Sequence, residues 1–322
     1  MTAGETISAE PGDQPIAIDL SVVIVSYNTR DLLRGCLRSV RDSQTLSPGL
    51  VVETWVADNH SPDDSAAMVA AEFKWARLIA RADNAGFAAA NNEALRQSAG
   101  RHVLLLNPDT VVRADALGQI VTFFDANPRT GGLGAKLVYP DGSRQQSAFR
   151  FPTLLMSFLD YFPINHRLTN SRLNGRYPAL LANEIHEIDH PLGACFAVRR
   201  EVLTQVGLLD EGFFMYCEEV DWAIRIRRAG WPLYYLPTAE VIHYEGQSAR
   251  QFRTKMFVEL HRSRLRLFAK HYCPAYRWAV RRINWLGMIA EARRARQAAA
   301  AGLISPTELA ARLEAYEQVK RL

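Results

Sequence analysis

The chain has 322 residues, of which 48% are hydrophobic and 22% charged, and its formal net charge is +4. This length and composition permit a full hydrophobic core in one large domain or two smaller ones, and no run of about 18 apolar residues predicts a membrane span. The four cysteines lie far apart without a CxxC pair, which is typical of reduced thiols in the cytoplasm and argues against a disulfide scaffold.

The chain begins with a segment that we interpret as a disordered leader, residues 1–19, because it lacks the basic start and apolar core of a secretory signal. Strands and helices then alternate. The predicted strands cover 21–27, 51–59, 76–81 and 102–107. The predicted helices cover 30–42, a segment capped by Ser61, residues 86–99 and a segment from about Asp115. Nearly continuous apolar strands separated by helices predict an α/β fold with a mostly parallel sheet, covered on both faces.

Lysine and arginine crowd the last quarter of the chain, where they recur with apolar residues at helical spacing in 253–272 and 278–296. This pattern predicts a basic amphipathic helical region. Three interpretations remain open: a solvated face or self-association surface, a membrane surface with anionic lipids or lipid diphosphates, and nucleic acid. Nucleic acid is the least favoured, because no recognised nucleic-acid motif accompanies the charge.

Polar residues follow each of the four predicted strands. They are Ser26 and Asn28, then Asp58, then Arg81 and Asn84, then Asn107 and Asp109. Each alone is also typical of turns and caps, but ligands of open parallel sheets bind beyond the carboxyl ends of the strands, so the set indicates a binding site. Neither GxGxxG nor GxxxxGK[ST] is present, which argues against a dinucleotide-binding loop and a P-loop.

Five stretches together resemble the family 2 glycosyltransferases with the GT-A fold. They are "SVVIVSYNTRDLLRGCLRSV", "VADNHSPDDS", "DNAGFAAANNEAL", "LLLNPDT" and "MYCEEVDWAIRIRRAGW". Within that family the chain looks most like rhamnosyltransferase-like enzymes of bacterial cell-surface polysaccharide synthesis. The resemblance implies a Rossmann-like, mostly parallel sheet flanked by helices in a catalytic domain at 20–247, with a C-terminal helical extension at 248–322.

In this family an Asp-x-Asp motif after the fourth strand holds a divalent ion that neutralises the departing diphosphate. The triplet here is Asn107-Pro108-Asp109, so Asp109 is the charged ligand, and Asn107 is expected near the donor's ribose or sugar. The resemblance places a second metal ligand at His243, and imidazole favours Mn²⁺ with Mg²⁺ as a substitute.

The resemblance also implies an inverting transfer with a carboxylate base in the cluster of Glu218, Glu219 and Asp221. The family pattern assigns the base to Glu219, although acids in a first helical turn also complement the helix dipole. Asp58 is expected to accept the ring N–H of uracil or thymine, which favours a UDP-sugar or a dTDP-sugar such as dTDP-L-rhamnose. The other expected donor-binding residues are Ser26, Asn28, Arg81, Asn84 and Gly86.

The acceptor side is expected in residues 149–189, with Gly193 keeping a channel open and Trp222 nearby. A glycan or a lipid-diphosphate-linked glycan suits this apolar segment and the basic C-terminal region. We therefore expect the protein in the cytoplasm, at the inner face of the membrane, with self-association through the C-terminal helices as a further option.

Other functions are less consistent with the sequence. A nucleotidyltransferase should carry a glycine-rich basic loop after the first strand, and "SYNTRDLL" has none. A processive polysaccharide synthase should have membrane spans and a Gln-x-x-Arg-Trp motif. A non-catalytic protein that binds sugar nucleotides remains an alternative.

Overall fold

The computed structural model describes residues 17–163, 165, 171–245 and 253–322. The strands are β1 (Leu20–Ser26), β2 (Val52–Asp58), β3 (Arg77–Ala80), β4 (His102–Leu106), β5 (Thr110–Val112), β6 (Gly132–Val138), β7 (Ala148–Phe149), β8 (His186–Ile188), β9 (His190–Pro191), β10 (Cys195–Arg199) and β11 (Leu233–His243). Most of the predicted leader, and the boundary between residues 247 and 248, lie outside the described residues.

The described helices agree with the predicted alternation. They are α1 (Arg30–Thr45), α2 (Ser65–Glu72), α3 (Phe87–Gln97), α4 (Ala116–Ala126), α5 (Leu154–Leu159), α6 (Arg200–Val206), α7 (Glu218–Arg228), α8 (Arg253–His271), α9 (Pro274–Ala300) and α10 (Pro306–Arg321). Two short 3-10 helices, Arg172–Asn174 and Ala179–Asn183, precede β8.

The main sheet has the strand order β3-β2-β1-β4-β10-β6-β11-β5, with β8 also paired to β11. The first four strands are parallel, as predicted. The sequence did not reveal that β10 runs antiparallel between β4 and β6, or that β5 pairs antiparallel with β11. The sheet is therefore mixed but mostly parallel.

Both faces of the sheet are buried, which explains the apolar strands. Every residue of β1 is buried, and successive side chains alternate between two cores. Ile24 packs with Leu33 and Phe124 beneath α1 and α4. Val23 packs with Phe196 and Trp222 beneath α6 and α7.

Helix α2 begins at Ser65 rather than just after Ser61, so the predicted cap is wrong. The reason is that the side chains expected to cap α2 support the start of α1 instead. Ser61 Oγ accepts the backbone N–H of Asn28 at 3.0 Å, and Asp63 Oδ2 accepts that of Arg30 at 2.8 Å. Residues 61–64 form a turn that ties the ends of β1 and β2 together.

The C-terminal helices have a core of their own, formed by residues such as Tyr161, Val258, Met288 and Tyr316. Helix α10 is capped at Ser305, whose Oγ accepts the Glu308 N–H at 3.1 Å. None of the helices in the described ranges is long and apolar enough to cross a membrane.

Candidate active site

A cavity of about 420 Å³ lies at the carboxyl ends of β1 and β4, against the start of α7. It brings together most of the residues singled out from the sequence. Those that line it are Asn84, Gly86, Asn107, Asp109, Gly193, Glu218, Glu219 and His243. Two walls carry the charged groups, a strand wall with Asp109 and His243 and a helix wall with Glu218 and Glu219.

The strand wall is built by the pairing of β5 with β11. His243 is in register with Thr110, so it lies beside Asp109 although 134 positions separate them in sequence, 243 minus 109. His243 Nε2 is 3.4 Å from Asp109 Oδ1, and both side chains are nearly buried. The Tyr244 N–H donates to the Asp109 carbonyl at 2.9 Å and closes the wall.

Gln145 sets the orientation of His243. Its Oε1 is 3.0 Å from His243 Nδ1 and is an acceptor, so Nδ1 carries the imidazole proton. The lone pair of Nε2 is then directed toward Asp109. Within the described ranges this buried atom has no hydrogen-bond partner. Gln145 could not be identified from the sequence, because no motif links it to a histidine 98 residues away.

The strand wall fits a divalent cation. Adjacent ligands of an octahedral ion with bonds of about 2.1 Å lie about 3 Å apart, close to the Nε2–Oδ1 separation of 3.4 Å. An unpartnered imidazole nitrogen facing a carboxylate is also a donor set that Mn²⁺ accepts. The described residues contain no cluster of three His, Cys, Asp or Glu side chains suited to a metal.

The helix wall follows a strained turn. Tyr216 and Cys217 have positive φ angles of 71° and 67°, which are unfavourable for residues other than glycine. This turn directs the first residues of α7 toward the cavity. Gly193 lies against Glu219, since a Cβ on Gly193 would be 3.4 Å from Glu219 Cγ. Gly193, which was expected to keep an acceptor channel open, thus lies beside the acidic cluster in the cavity.

The two acids of the helix wall both have raised pKa values, but to different extents. Burial raises the pKa of Glu219 to about 6, against the effect of backbone hydrogen bonds at the start of α7. Burial, and then the charge of Glu219, raises the pKa of Glu218 further. Glu218 is only 5% exposed, whereas Glu219 keeps some contact with the cavity. Of the two carboxyls, Glu218 therefore has the stronger tendency to stay protonated, and Glu219 ionises more readily.

Asp221 and Trp222, which were expected in the catalytic cluster and near the acceptor, do not line the cavity. Asp221 is fully buried and is bound by Arg225 of α7 and by Lys270 and His271 of α8. Trp222 is also fully buried; its Nε1 donates to the Gly207 carbonyl at 3.0 Å, and its ring packs edge-on against Phe196. The helical period turns these two side chains away from the face that carries Glu218 and Glu219.

Four expected donor-binding residues do not line this cavity. Ser26 is buried with its hydroxyl 3.2 Å from Thr29 Oγ1, and Arg81 pairs with Glu93 and Asp83. Asn28 lines a small neighbouring cleft. Asp58 accepts the Ser61 N–H through Oδ2 at 2.9 Å, while its buried Oδ1 has no hydrogen-bond partner in the described part of the chain.

Gly86 packs the loop between β3 and α3 against the segment that precedes the helix wall. Its φ is +92°, and a Cβ would lie 2.3 Å from the Phe214 carbonyl oxygen, so only glycine allows this approach. Asn84 Oδ1 accepts the Gly86 N–H at 3.1 Å, and Asn59 Nδ2 donates to the Gly86 carbonyl at 3.0 Å. The close packing holds the segment that precedes α7.

Helix α8 supplies cavity residues that sequence analysis did not assign. Lys255 and Met256 line the cavity, and Lys255 Nζ is 5.7 Å from the centre of the Phe214 ring. Lys255 brings a positive charge to a cavity that is also lined by four carboxyl groups, those of Asp109, Glu218, Glu219 and Glu245. The basic composition of 253–272 was the only signal for it.

Known sequences are similar to this chain over most of its length. Residues 21–207 match the family model described as Glycosyl transferase family 2. N-acetylglucosaminyl-diphospho-decaprenol L-rhamnosyltransferase of Mycobacterium tuberculosis is 30% identical over 71% of this chain and 77% of its own. Rhamnosyltransferase WbbL of Escherichia coli is 26% identical over 51% and 60%, respectively.

Two solved structures share the fold. Mannosyltransferase PcManGT from Pyrobaculum calidifontis, in complex with GDP-Man and Mn²⁺, has a TM-score of 0.56 and 17% identity, covering 97% of this chain and 90% of its own. GalNAc-T7 with UDP, GalNAc and Mn²⁺ has a TM-score of 0.53 and 17% identity, covering 70% and 43%. The expected GT-A fold with C-terminal helices is confirmed.

The resemblance stated from the sequence motifs is therefore confirmed by independent matches to family and fold. The relatives of this chain include rhamnosyltransferases of bacterial polysaccharide synthesis. The chain belongs to glycosyl transferase family 2 and is a rhamnosyltransferase-like enzyme that transfers a sugar from a nucleotide sugar.

Proposed function

We propose that the protein is an inverting, metal-dependent glycosyltransferase that moves a sugar from dTDP-L-rhamnose or a UDP-sugar to a hydroxyl of a glycan or lipid-diphosphate-linked glycan. The observation that supports this function is one cavity with Asp109 and His243 side by side on one wall and Glu219, whose pKa is raised to about 6, on the other. The mycobacterial relative, whose name specifies an L-rhamnosyl group and a diphospho-decaprenol acceptor, favours the sugar and the acceptor class.

Asp109 and His243 are the residues that would hold Mn²⁺ or Mg²⁺, with Gln145 fixing the imidazole. The bound ion would neutralise the negative charge that develops on the departing diphosphate. Because the described residues offer no third acidic, histidine or cysteine ligand in a cluster, diphosphate oxygens and water would complete the coordination. Lys255 adds a second positive charge for the diphosphate.

Glu219 is the proposed base. It takes the proton of the acceptor hydroxyl while that oxygen bonds to the anomeric carbon and the bond from this carbon to the diphosphate oxygen breaks. Attack from the face opposite the diphosphate inverts the anomeric configuration in a single displacement. A pKa of about 6 favours the ionised form of Glu219 at neutral pH, whereas the more strongly raised pKa of Glu218 makes that residue the weaker candidate for the base.

The donor base is proposed to lie at the ends of β1 to β3. Asp58 Oδ1 is a buried acceptor without a partner among the described residues, which suits the ring N–H of thymine or uracil. Asn84, Gly86 and Asn107 line the cavity beside it and are proposed to contact the donor. Ser26, Asn28 and Arg81 do not line the cavity and are proposed to stabilise the loops that follow β1 and β3.

We further propose that residues 20–247 form the catalytic domain and 248–322 a helical extension. The enzyme is proposed to act in the cytoplasm at the inner face of the membrane. A lipid-linked acceptor is most accessible there, and the C-terminal helices are basic.

The test is a transfer assay with dTDP-L-rhamnose, UDP-sugars and GDP-mannose, offered with a short-chain N-acetylglucosaminyl-diphospho-polyprenol. Reactions contain Mn²⁺, Mg²⁺ or a chelator, and NMR determines the anomeric configuration of the product. We expect an inverted product with one nucleotide sugar, and none with chelator. Retained configuration or indifference to chelator would contradict the proposed mechanism, and donor binding without turnover on any acceptor would favour the non-catalytic alternative.

The metal pair is tested by titrating Mn²⁺ into the protein with the nucleoside diphosphate and measuring bound ion by electron paramagnetic resonance. His243→Ala and Asp109→Asn should each weaken Mn²⁺ binding by about a hundredfold or more. His186→Ala, which changes a histidine that does not line the cavity, is the matched control and should leave binding unchanged.

A further inference from the structure

Helix α9 exposes large apolar side chains on the side opposite its buried residues. Trp278 is 63% exposed, Trp285 45% and Leu286 52%, whereas Asn284 and Met288 are buried. The two tryptophans are seven residues apart, which places them two turns apart on one side of the helix. Tryptophan is rarely left in water, so two on one solvent-facing side indicate a surface that is covered in use.

The same side of α9 is cationic. Arg281 and Arg282 lie between the tryptophans and are exposed, and the Arg282 guanidinium is 5.6 Å from the centre of the Trp278 ring. Neither arginine forms an ion pair with an acid in the part of the chain that the structure describes. The acid of α9, Glu291, is paired with Arg294. We name the set of Trp278, Arg281, Arg282, Trp285 and Leu286 the α9 outer face.

We propose that the α9 outer face binds the surface of a bilayer that contains anionic phospholipids. Tryptophan rings are apolar with one polar N–H, so they are suited to the headgroup boundary, and arginine extends its charge from an apolar stem toward phosphate. The alternation of these two residue types over two turns matches an interfacial helix that lies in the membrane plane.

Charge complementarity favours lipid over a second copy of the chain. In a symmetric dimer the same patch meets itself, so Arg281 and Arg282 would approach their own copies without a compensating acid on the face. Anionic headgroups supply the missing negative charge, and each arginine near such a surface strengthens binding.

The α9 outer face is connected to the active-site cavity through packed helices. Arg294 of α9 donates to the Tyr161 carbonyl at 2.9 Å, just after α5, and α5 adds the exposed Leu154 and Leu155 next to α9. Helix α8, which also packs on α9, carries Lys255 into the cavity. If the acceptor is lipid-linked, which rests on the proposed function, a membrane-bound α9 would hold the cavity near that acceptor.

The experiment is flotation of the full-length protein with vesicles of phosphatidylcholine alone or mixed with phosphatidylglycerol. We expect partition onto the mixed vesicles, weak partition onto phosphatidylcholine, and release by salt. Trp278→Ala with Trp285→Ala should lower partition by about tenfold, because two rings no longer leave water. Arg281→Gln with Arg282→Gln should lower it by roughly thirtyfold.

The matched control compares two exposed leucines. Leu286→Ala removes one from the α9 outer face, and Leu46→Ala removes one, 60% exposed, just after α1. Only the first should weaken partition. Absence of wild-type binding to the mixed vesicles, or equal partition of wild type and both double variants, would overturn the proposal. So would a dimer in analytical ultracentrifugation that the tryptophan variant dissociates while vesicle partition is unchanged.

Vesicle binding needs no nucleotide sugar, so it is separable from the proposed function. The α9 variants should keep wild-type transfer to a water-soluble acceptor and the wild-type shift in melting temperature with donor. Loss of partition with transfer intact supports the surface. Intact partition in a protein that transfers no sugar would sink the proposed function and leave the surface standing.

Discussion

The first turn of α7 carries acids on two sides, and the two sides behave in opposite ways. Toward the cavity, Glu218 and Glu219 have no ion-pair partner in the described ranges, and burial raises the pKa of both. Toward the C-terminal helices, Asp221 is bound by Arg225, Lys270 and His271 at 2.9, 2.7 and 2.6 Å. Acids within four residues of one another thus belong to two different kinds of site.

The surroundings of Asp221 explain its opposite character. Burial alone would raise the pKa of Asp221, but hydrogen bonds from Lys270 and His271 and the charge of Arg225 lower it below its usual value. Arg228 Nη1 donates to His271 Nδ1 at 2.9 Å, so the proton of the neutral ring is on Nε2 and is donated to Asp221. Asp221 thereby anchors α7 to α8, whereas Glu218 and Glu219 are held only by the helix backbone. The helical period thus separates the proposed catalytic side of α7 from the side that anchors it to α8.

Among these variants, Glu219→Gln is expected to have the largest effect on the rate of transfer. The amide cannot accept the acceptor's proton, so kcat should fall by about a thousandfold, while the dissociation constant of the nucleotide stays near wild type. Steady-state kinetics measure kcat, and thermal shift with nucleotide measures the dissociation constant. Glu201→Gln changes an exposed acid in the first turn of α6 and is the matched control. If Glu218→Gln abolishes transfer and Glu219→Gln does not, the base is misassigned.

Asp221→Asn should lower the stability of the protein much more than its turnover, which is the reverse of Glu219→Gln. Removing one partner from a buried charge network costs about 3 kcal/mol of the free energy of unfolding, measured by urea denaturation. At a temperature where the variant is folded, kcat should change far less than in Glu219→Gln. Asp125→Asn breaks a surface pair with Arg101 and should cost under about 1 kcal/mol. Full stability with lost turnover would mean that Asp221 does not anchor α7.

The pH dependence of transfer tests the protonation of the cavity side. Glu219 must be ionised to act as a base, and its raised pKa means that this form is lost as pH falls through about 6. We therefore expect kcat/KM to be constant above that pH and to fall about tenfold per unit below it. An acid limb near the usual pKa of glutamate, about 4.3, would show that burial does not raise the pKa of Glu219.

The smallest effect is expected for Glu218→Gln. Because its pKa is raised on folding, the wild-type protein must take up a proton there, and stability falls as pH rises above the unfolded pKa. Glutamine avoids this cost, so the variant should melt at a higher temperature than wild type at pH 8 and by a smaller margin at pH 5. Asp221→Asn should destabilise at both, and a lower melting temperature for Glu218→Gln at pH 8 would contradict the raised pKa.

Local pattern was enough to predict much of the fold. The apolar runs and caps predicted β1 to β4 and the helices between them to within a few residues, and the basic periodicity predicted the C-terminal helices. The antiparallel β10 was not predictable, because its apolar residues do not encode the direction of their neighbours. The predicted cap at Ser61 failed because its hydroxyl binds a backbone N–H from a segment 33 residues away.

The candidate site was predicted only in part, because local pattern shows which residues end a strand but not which way their side chains face. Polar strand ends were correctly expected to gather at one edge, and Asn84, Gly86, Asn107 and Asp109 line the cavity. Ser26, Asp58 and Arg81 follow or end strands too, but they do not line this cavity, since alternate residues of a strand face opposite sides. Sequence order does not show which side will face the cavity once the loops have packed.

The sequence by itself determined the alternating α/β elements, the family, and an acidic cluster at the start of α7, because helical and strand periodicity, caps and motifs are local. Three features were decided by the tertiary structure alone. Gln145 orients His243 toward Asp109, Asp221 binds side chains of α8, and two tryptophans of α9 face outward. Each of these depends on contacts between segments far apart in the chain. Their partners are selected by the packing of the whole core, which no local pattern encodes.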